Sequence, residues 1–168
     1  MDSRMTGKSP EDRECHIVGS TGAILTKFRY GIYRPSYVPL TTYVVAAKAP
    51  NGVVLVRPQG CHFWSLPGGP LNEAKGAAEV CAEGFQRETG LPAENIEALG
   101  FYRVIVSSKV EHGALAVCRC GPVSSKKAKE LGVELRAWRF EGPIAALDPI
   151  SEALAALAVE SVLWRGMG

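Results

Sequence analysis

LPGGPLNEAKGAAEVCAEGFQRETGL, residues 66–91, is the stretch on which the fold turns. Its opening Leu66-Pro67-Gly68-Gly69 is a backbone corner, because two successive glycines reach conformations closed to other residues. A new element must begin beyond it. Residues 74–89 are rich in Ala, Glu, Gln, Lys and Arg, with Ala77, Val80, Cys81 and Phe85 spaced as one apolar stripe and Gly90 just past the end. This pattern predicts a helix over 74–89 with a glycine stop.

Working outward, 41–48 (TTYVVAAK) and 53–57 (VVLVR) are β-branched runs that predict two strands. They are joined through Ala49-Pro50-Asn51-Gly52, whose Asn-Gly pair suits a hairpin turn. Further strands are expected over 96–106, 114–119 and 134–140, a short basic helix over 124–131 and a final helix over 150–164. Toward the N-terminus, 16–25 (HIVGSTGAIL) reads as one strand interrupted by Gly19 and Gly22, and 1–14 as a disordered polar tail. Residues 15–40 are expected as an N-terminal arm of a single domain covering 15–168; within it, Phe28, Tyr30, Tyr33 and Tyr37 alternate with Lys27, Arg29 and Arg34. Such a strip suits either a partner or RNA contact, or the basic outer face of an edge strand. The irregular alternation of strands and helices indicates an α+β protein.

The bulk numbers narrow the classes. A chain of 168 residues, 46% hydrophobic and 21% charged, is of the globular type and can bury a core without staples. The net charge of +2 names no nucleic acid or anionic membrane as partner. Five cysteines without a CxxC pair read as reduced core thiols, and no run has the length of a membrane span or the shape of a signal peptide, so a cytoplasmic location is expected.

With these residues in place, 66–91 resembles the Nudix signature: Gly, five residues, Glu, seven residues, Arg-Glu, an apolar residue, any residue, Glu-Glu, any residue, Gly, an apolar residue. Gly69, Phe85, Glu88, Gly90 and Leu91 match without a gap. An aromatic before the LPGG corner, after a strand ending in VLVRPQG, also agrees with many members. The resemblance spans about residues 41–165 and implies a Nudix-type α/β/α sandwich with a mixed sheet. In that family the box holds Mg²⁺ or Mn²⁺ against a diphosphate.

The interior departs from the pattern. Lys75 stands at the first Glu, Glu83-Gly84 at Arg-Glu, and Arg87 at the first of the paired Glu, which leaves Glu88 alone among the acidic positions. Magnesium wants near-octahedral oxygen ligation, and two carboxylates a helical turn apart would supply it; here that pair is Gly84 and Glu88. Glu88 by itself is a weak metal ligand, and the positive charges of Lys75 and Arg87 disfavour a cation further. Glu83 and Arg87 exchange the charges of a family ion pair, which keeps a scaffold role.

Outside the box, the fold implied by the resemblance brings Arg57, His62, Trp64 and Tyr102 to the substrate side, with Lys75 and Arg87 as further substrate contacts. Arg57 suits a phosphate or a solvated strand face, and Trp64 a stacked base or isoprenoid or else the core. His112, beside Glu111 in VEHGA, is expected on a loop, where it is either a general base alongside Glu88 or a surface residue. Three functions follow. The first is a Nudix-superfamily enzyme acting on a diphosphate-linked or similarly anionic small molecule through a weakened or metal-independent site, favoured because the corner and Glu88 are kept. The second is a non-catalytic Nudix-fold module that binds a small molecule or serves in an assembly, and the third a biosynthetic enzyme with non-hydrolytic chemistry. A small anionic ligand and a homodimer are the partners these readings imply.

Overall fold

The computed structural model describes residues 12–31, 38–72 and 76–167. In chain order its elements are β1 (Asp12–Val18), β2 (Ile24–Tyr30), β3 (Thr42–Ala49), β4 (Gly52–Pro58), β5 (Gly68–Pro70), α1 (Ala77–Thr89), β6 (Glu94–Val106), β7 (Lys109–Arg119), α2 (Ser125–Leu131), β8 (Val133–Trp138), α3 (Pro149–Val159) and α4 (Val162–Arg165). The strands form one sheet in the order β1-β2-β6-β7-β3-β4-β8, with β5 beside the start of β3. Every pairing is antiparallel except β3 with β7, so the sheet is mixed.

Successive side chains of a strand point to opposite faces, and here both faces are apolar. Ala46, Val53, Leu55, Leu115 and Val117 face Leu154, Ala155 and Ala158 of α3 and Trp164 of α4. Tyr43, Val45, Ala47, Val54, Ala116 and Cys118 face Cys81 and Phe85 of α1. Two separate cores on the two faces of one sheet make the α/β/α sandwich, and burial of a side chain such as Phe85 stabilises each by roughly 2–3 kcal/mol. Among the described residues no helix is long and apolar enough to cross a membrane.

Several boundaries differ from expectation. Residues 16–25 are not one strand: a turn over 19–23, closed by Gly19 N–H to Ala23 O at 2.8 Å with Gly22 at φ 91°, folds the chain back into the β1–β2 hairpin. β1 begins at Asp12, inside the segment expected as a tail, while residues 1–11 lie outside the described residues. The expected arm over 15–40 is, up to Tyr30, the end of β1, the turn and strand β2, which lies between β1 and β6 with Phe28 wholly buried; Tyr33, Arg34 and Tyr37 fall outside the described residues.

The β3–β4 hairpin pairs Ala49 with Gly52, so its two-residue loop is Pro50-Asn51 and Gly52 is already in the strand. Helix α1 starts at Ala77 rather than at residue 74 and ends as predicted, with Gly90 at φ 76° donating its N–H to Gln86 O at 2.7 Å. The VEHGA segment is not a loop but part of β7, hairpinned to β6 through Ser107 and Ser108 at φ 49° and 67°. The final helix is broken in two at Glu160–Ser161, because the Ser161 hydroxyl caps α4 by accepting from Trp164 N–H at 3.2 Å while donating to Ala158 O at 2.6 Å.

Candidate functional site

The corner at 66–69 is fixed from three sides. Val45 N–H donates to Pro67 O at 2.8 Å, Leu66 N–H donates to Ser151 Oγ of α3 at 3.0 Å, and Gly69 pairs with Tyr43 in register. Gly68 lies against the Tyr43 carbonyl so closely that a Cβ there would collide with it. A side chain at this position is therefore excluded by close approach.

Glu88, in the last turn of α1, accepts the Gly68 N–H on Oε1 at 3.1 Å and so ties the helix end to the corner. Burial pushes its carboxyl up to about 7, although the Gly68 hydrogen bond and the Arg87 charge both pull it down. One turn earlier, buried Gly84 faces the Tyr43 phenol, and a Cβ on Gly84 would run into the Tyr43 hydroxyl. Tyr43 is itself buried, and its pKa is raised first by that burial and then by the charges of Glu88 and Cys81, with Arg87 opposing. The place from which the signature's carboxylate would project is thus filled by a phenol from β3.

Beside these residues opens a cleft of about 760 Å³ between the sheet, the 66–70 corner and the start of α3. The polar residues of its lining include Tyr43, Glu88, Tyr102, Glu111, Asp148 and Ser151. The Tyr102 hydroxyl is 2.7 Å from Thr42 Oγ1 and is pushed up to about 12, chiefly by burial and against the effect of that hydrogen bond.

Of the residues singled out in the sequence, the structure brings Glu88 and Tyr102 together on this cleft. Arg87 is exposed beside Glu88, and Lys75 lies outside the described residues. His62 is exposed in the loop whose neighbours Cys61 and Phe63 line the cleft. His112 pairs in register with Arg103, and burial, then the Arg103 charge, lowers its pKa; it is Glu111, the preceding residue of β7, that lines the cleft. Arg57 is ion-paired with Glu134, and its guanidinium stands 5.0 Å over the Trp64 ring, which Arg136 approaches at 5.4 Å. Trp64 is 8% exposed and belongs to the core on the α3 face. Sequence reasoning passed over Tyr43, Thr42, Asp148 and Ser151. The first two sit in a run that reads only as strand; Asp148 caps α3 and Ser151 lies in its first turn, and the cleft position of both depends on tertiary packing.

The described residues do not fit the metal that the resemblance implies. Gly84 offers no donor, Tyr43 fills the space in front of it, and Glu88 Oε1 is engaged with the Gly68 N–H. Among the described residues no group of three or more His, Cys, Asp or Glu side chains is placed to hold an ion.

No protein-family model matches the sequence, and no curated protein matches it. Solved structures do match. The chain is similar to a variant of the pyrophosphohydrolase BsRppH of Bacillus subtilis (TM-score 0.57, 13% identity, covering 91% of this chain and 92% of that one). It is also similar to a protein of Chromobacterium violaceum assigned to the Nudix hydrolase family (TM-score 0.54, 17% identity, 79% and 87% covered). A third likeness is to the Nudix domain of Shewanella oneidensis NrtR in complex with ADP-ribose (TM-score 0.53, 16% identity, 76% and 92% covered). The chain has the Nudix fold.

Proposed function

We propose that this Nudix-fold protein holds a small organic molecule in the cleft beside Glu88 and does not carry out metal-assisted hydrolysis of a diphosphate there. The contact of the Tyr43 phenol with Gly84 carries this reading. Metal-assisted attack of water needs convergent carboxylates to hold the ion that neutralises developing charge and activates the water. Here the second carboxylate is replaced by a packed aromatic ring, and the remaining one serves as a tie between α1 and the corner. The ADP-ribose complex of the NrtR Nudix domain supports a ligand-holding role for a cleft on this scaffold. The test is incubation with a panel of nucleoside diphosphate derivatives with and without Mg²⁺ or Mn²⁺. No turnover is expected; metal-dependent turnover that disappears in Glu88→Gln would sink the proposal.

One observation favours a second reading, the atypical enzyme. A carboxyl with a pKa of about 7 is suited to accept a proton at neutral pH, so Glu88 could serve as a general base without a metal. In that case turnover of some panel member persists in EDTA and follows an acid limb near pH 7 that Glu88→Gln abolishes. Turnover unaffected by that substitution rules this version out and leaves His112 as the remaining base to test.

A further inference from the structure

We infer that the ligand of this cleft is an amphipathic amine, with an apolar or aromatic body and a protonated nitrogen, and not a phosphate-bearing molecule. The inference rests on the reading that the cleft binds a ligand, and deepens it. A volume of about 760 Å³ is that of a site for a small organic molecule. Its walls are largely apolar and include Phe63, Leu66, Val104, Val106, Ile150 and Leu154. These walls would take up a hydrocarbon or aromatic body by burial alone.

Charge decides the rest. The described lining carries Glu88, Glu111 and Asp148 and no Lys, Arg or His, in a chain whose 19 basic residues outnumber its 17 acidic ones. Asp148 is committed to the fold, since its two oxygens accept Ser20 N–H at 2.7 Å and Ser151 N–H at 2.9 Å. Glu111 accepts a long bond from Thr41 Oγ1 at 3.3 Å, and Glu88 accepts the Gly68 N–H. A carboxylate has about four acceptor positions, so Glu111 keeps capacity for further donors, and Glu88, whose pKa is about 7, does so in its ionised form, which a neighbouring ammonium favours. An ammonium brings three donors and the opposite charge, whereas a diphosphate brings only acceptors and like charge into a site with low-dielectric walls. Without a metal between them, the second combination is repulsive.

The experiment is a calorimetric titration of the full chain with tryptamine, phenethylamine and octylamine. Their alcohol counterparts, indole-3-acetate and ADP-ribose serve as comparison ligands. At least one amine is expected to bind about tenfold or more tighter than its alcohol, and the carboxylate and ADP-ribose more weakly still. Glu111→Gln and Glu88→Gln should each weaken that amine by about tenfold, while Glu134→Gln, on the far side of Arg57, leaves it unchanged. Circular dichroism of each variant confirms that it is folded. Failure of all three amines to bind overturns the inference, as does amine binding indifferent to both cleft substitutions. Tighter binding of ADP-ribose without turnover overturns it too, yet leaves the ligand-binding reading standing; metal-dependent turnover of ADP-ribose removes both.

Discussion

At the scale of single residues, Glu88 and Tyr43 have exchanged the tasks their positions suggest. Glu88 keeps the signature's carboxylate but spends an oxygen on Gly68 N–H, and burial holds its pKa at about 7. Because this folded value is above the ordinary 4.5, the fold prefers the protonated form. Stability is therefore lost as pH rises from about 4.5 to about 7, by at most about 3 kcal/mol, and is level beyond that. Glu88→Gln, whose amide oxygen can still accept from Gly68, should be more stable than the parent at about pH 8 by about 1–3 kcal/mol and nearly equal to it at about pH 4.5. Denaturant titrations at the two pH values measure this; an equal difference at both would show that Glu88 does not titrate as described. Gly84 gives the complementary case. Gly84→Glu should destabilise by about 2–4 kcal/mol, because its Cβ meets the Tyr43 hydroxyl, and Tyr43→Ala in the same chain should recover part of that loss. Strictly additive losses would mean the two residues do not touch. The contact was not legible in the sequence: Gly84 reads there only as a missing carboxylate and Tyr43 only as a strand aromatic.

Elements were legible where the signal is local. The β3–β4 hairpin follows from its β-branched runs, and the end of α1 from Gly90, since both depend on neighbours in sequence. The broken C-terminal helix was not, because Ser161 does not disturb the spacing of Leu157, Val159 and Leu163; only its capping bonds stop one helix and start the next. Nor was the β1–β2 hairpin, whose turn is held from the far end of the chain by Asp148 Oδ1 accepting Ser20 N–H. That residue joins two elements at one edge of the cleft. Asp148→Ala removes the cap of α3 and the tie to the turn together, and should cost about 1–2 kcal/mol. Amide hydrogen exchange should locate the effect: faster exchange at Ser20 and Ser151, with the β6–β7 hairpin unaffected. A loss spread evenly over the sheet would argue against this local role.

For the whole molecule, the sandwich and its mixed sheet were implied by the likeness of residues 66–91 to the Nudix signature, but the strand order was not. The parallel pairing of β3 with β7, Thr42 opposite Gly113 through Lys48 opposite Arg119, joins segments far apart in sequence. Only burial of both faces at once selects it. That pairing also sets Tyr102 against Thr42 and puts Glu111 at the cleft, so the site is a product of the topology more than of the box. The links between β3, the corner and α1 are made by protein groups: the Tyr43 ring against Gly84, and Glu88 on Gly68 N–H. A fold closed in this way gains nothing from a divalent ion. An ion bound only by the native state, at about a hundred times its Kd, stabilises by about 2.7 kcal/mol. In a chain of this length that is a rise in Tm of about 5–10 °C. The expected result of thermal unfolding in millimolar Mg²⁺ and in EDTA is therefore the same Tm within about a degree, for the parent and for Glu88→Gln alike. A rise of several degrees in the parent, absent from the variant, would place an ion at Glu88 and return the cleft to metal-assisted chemistry.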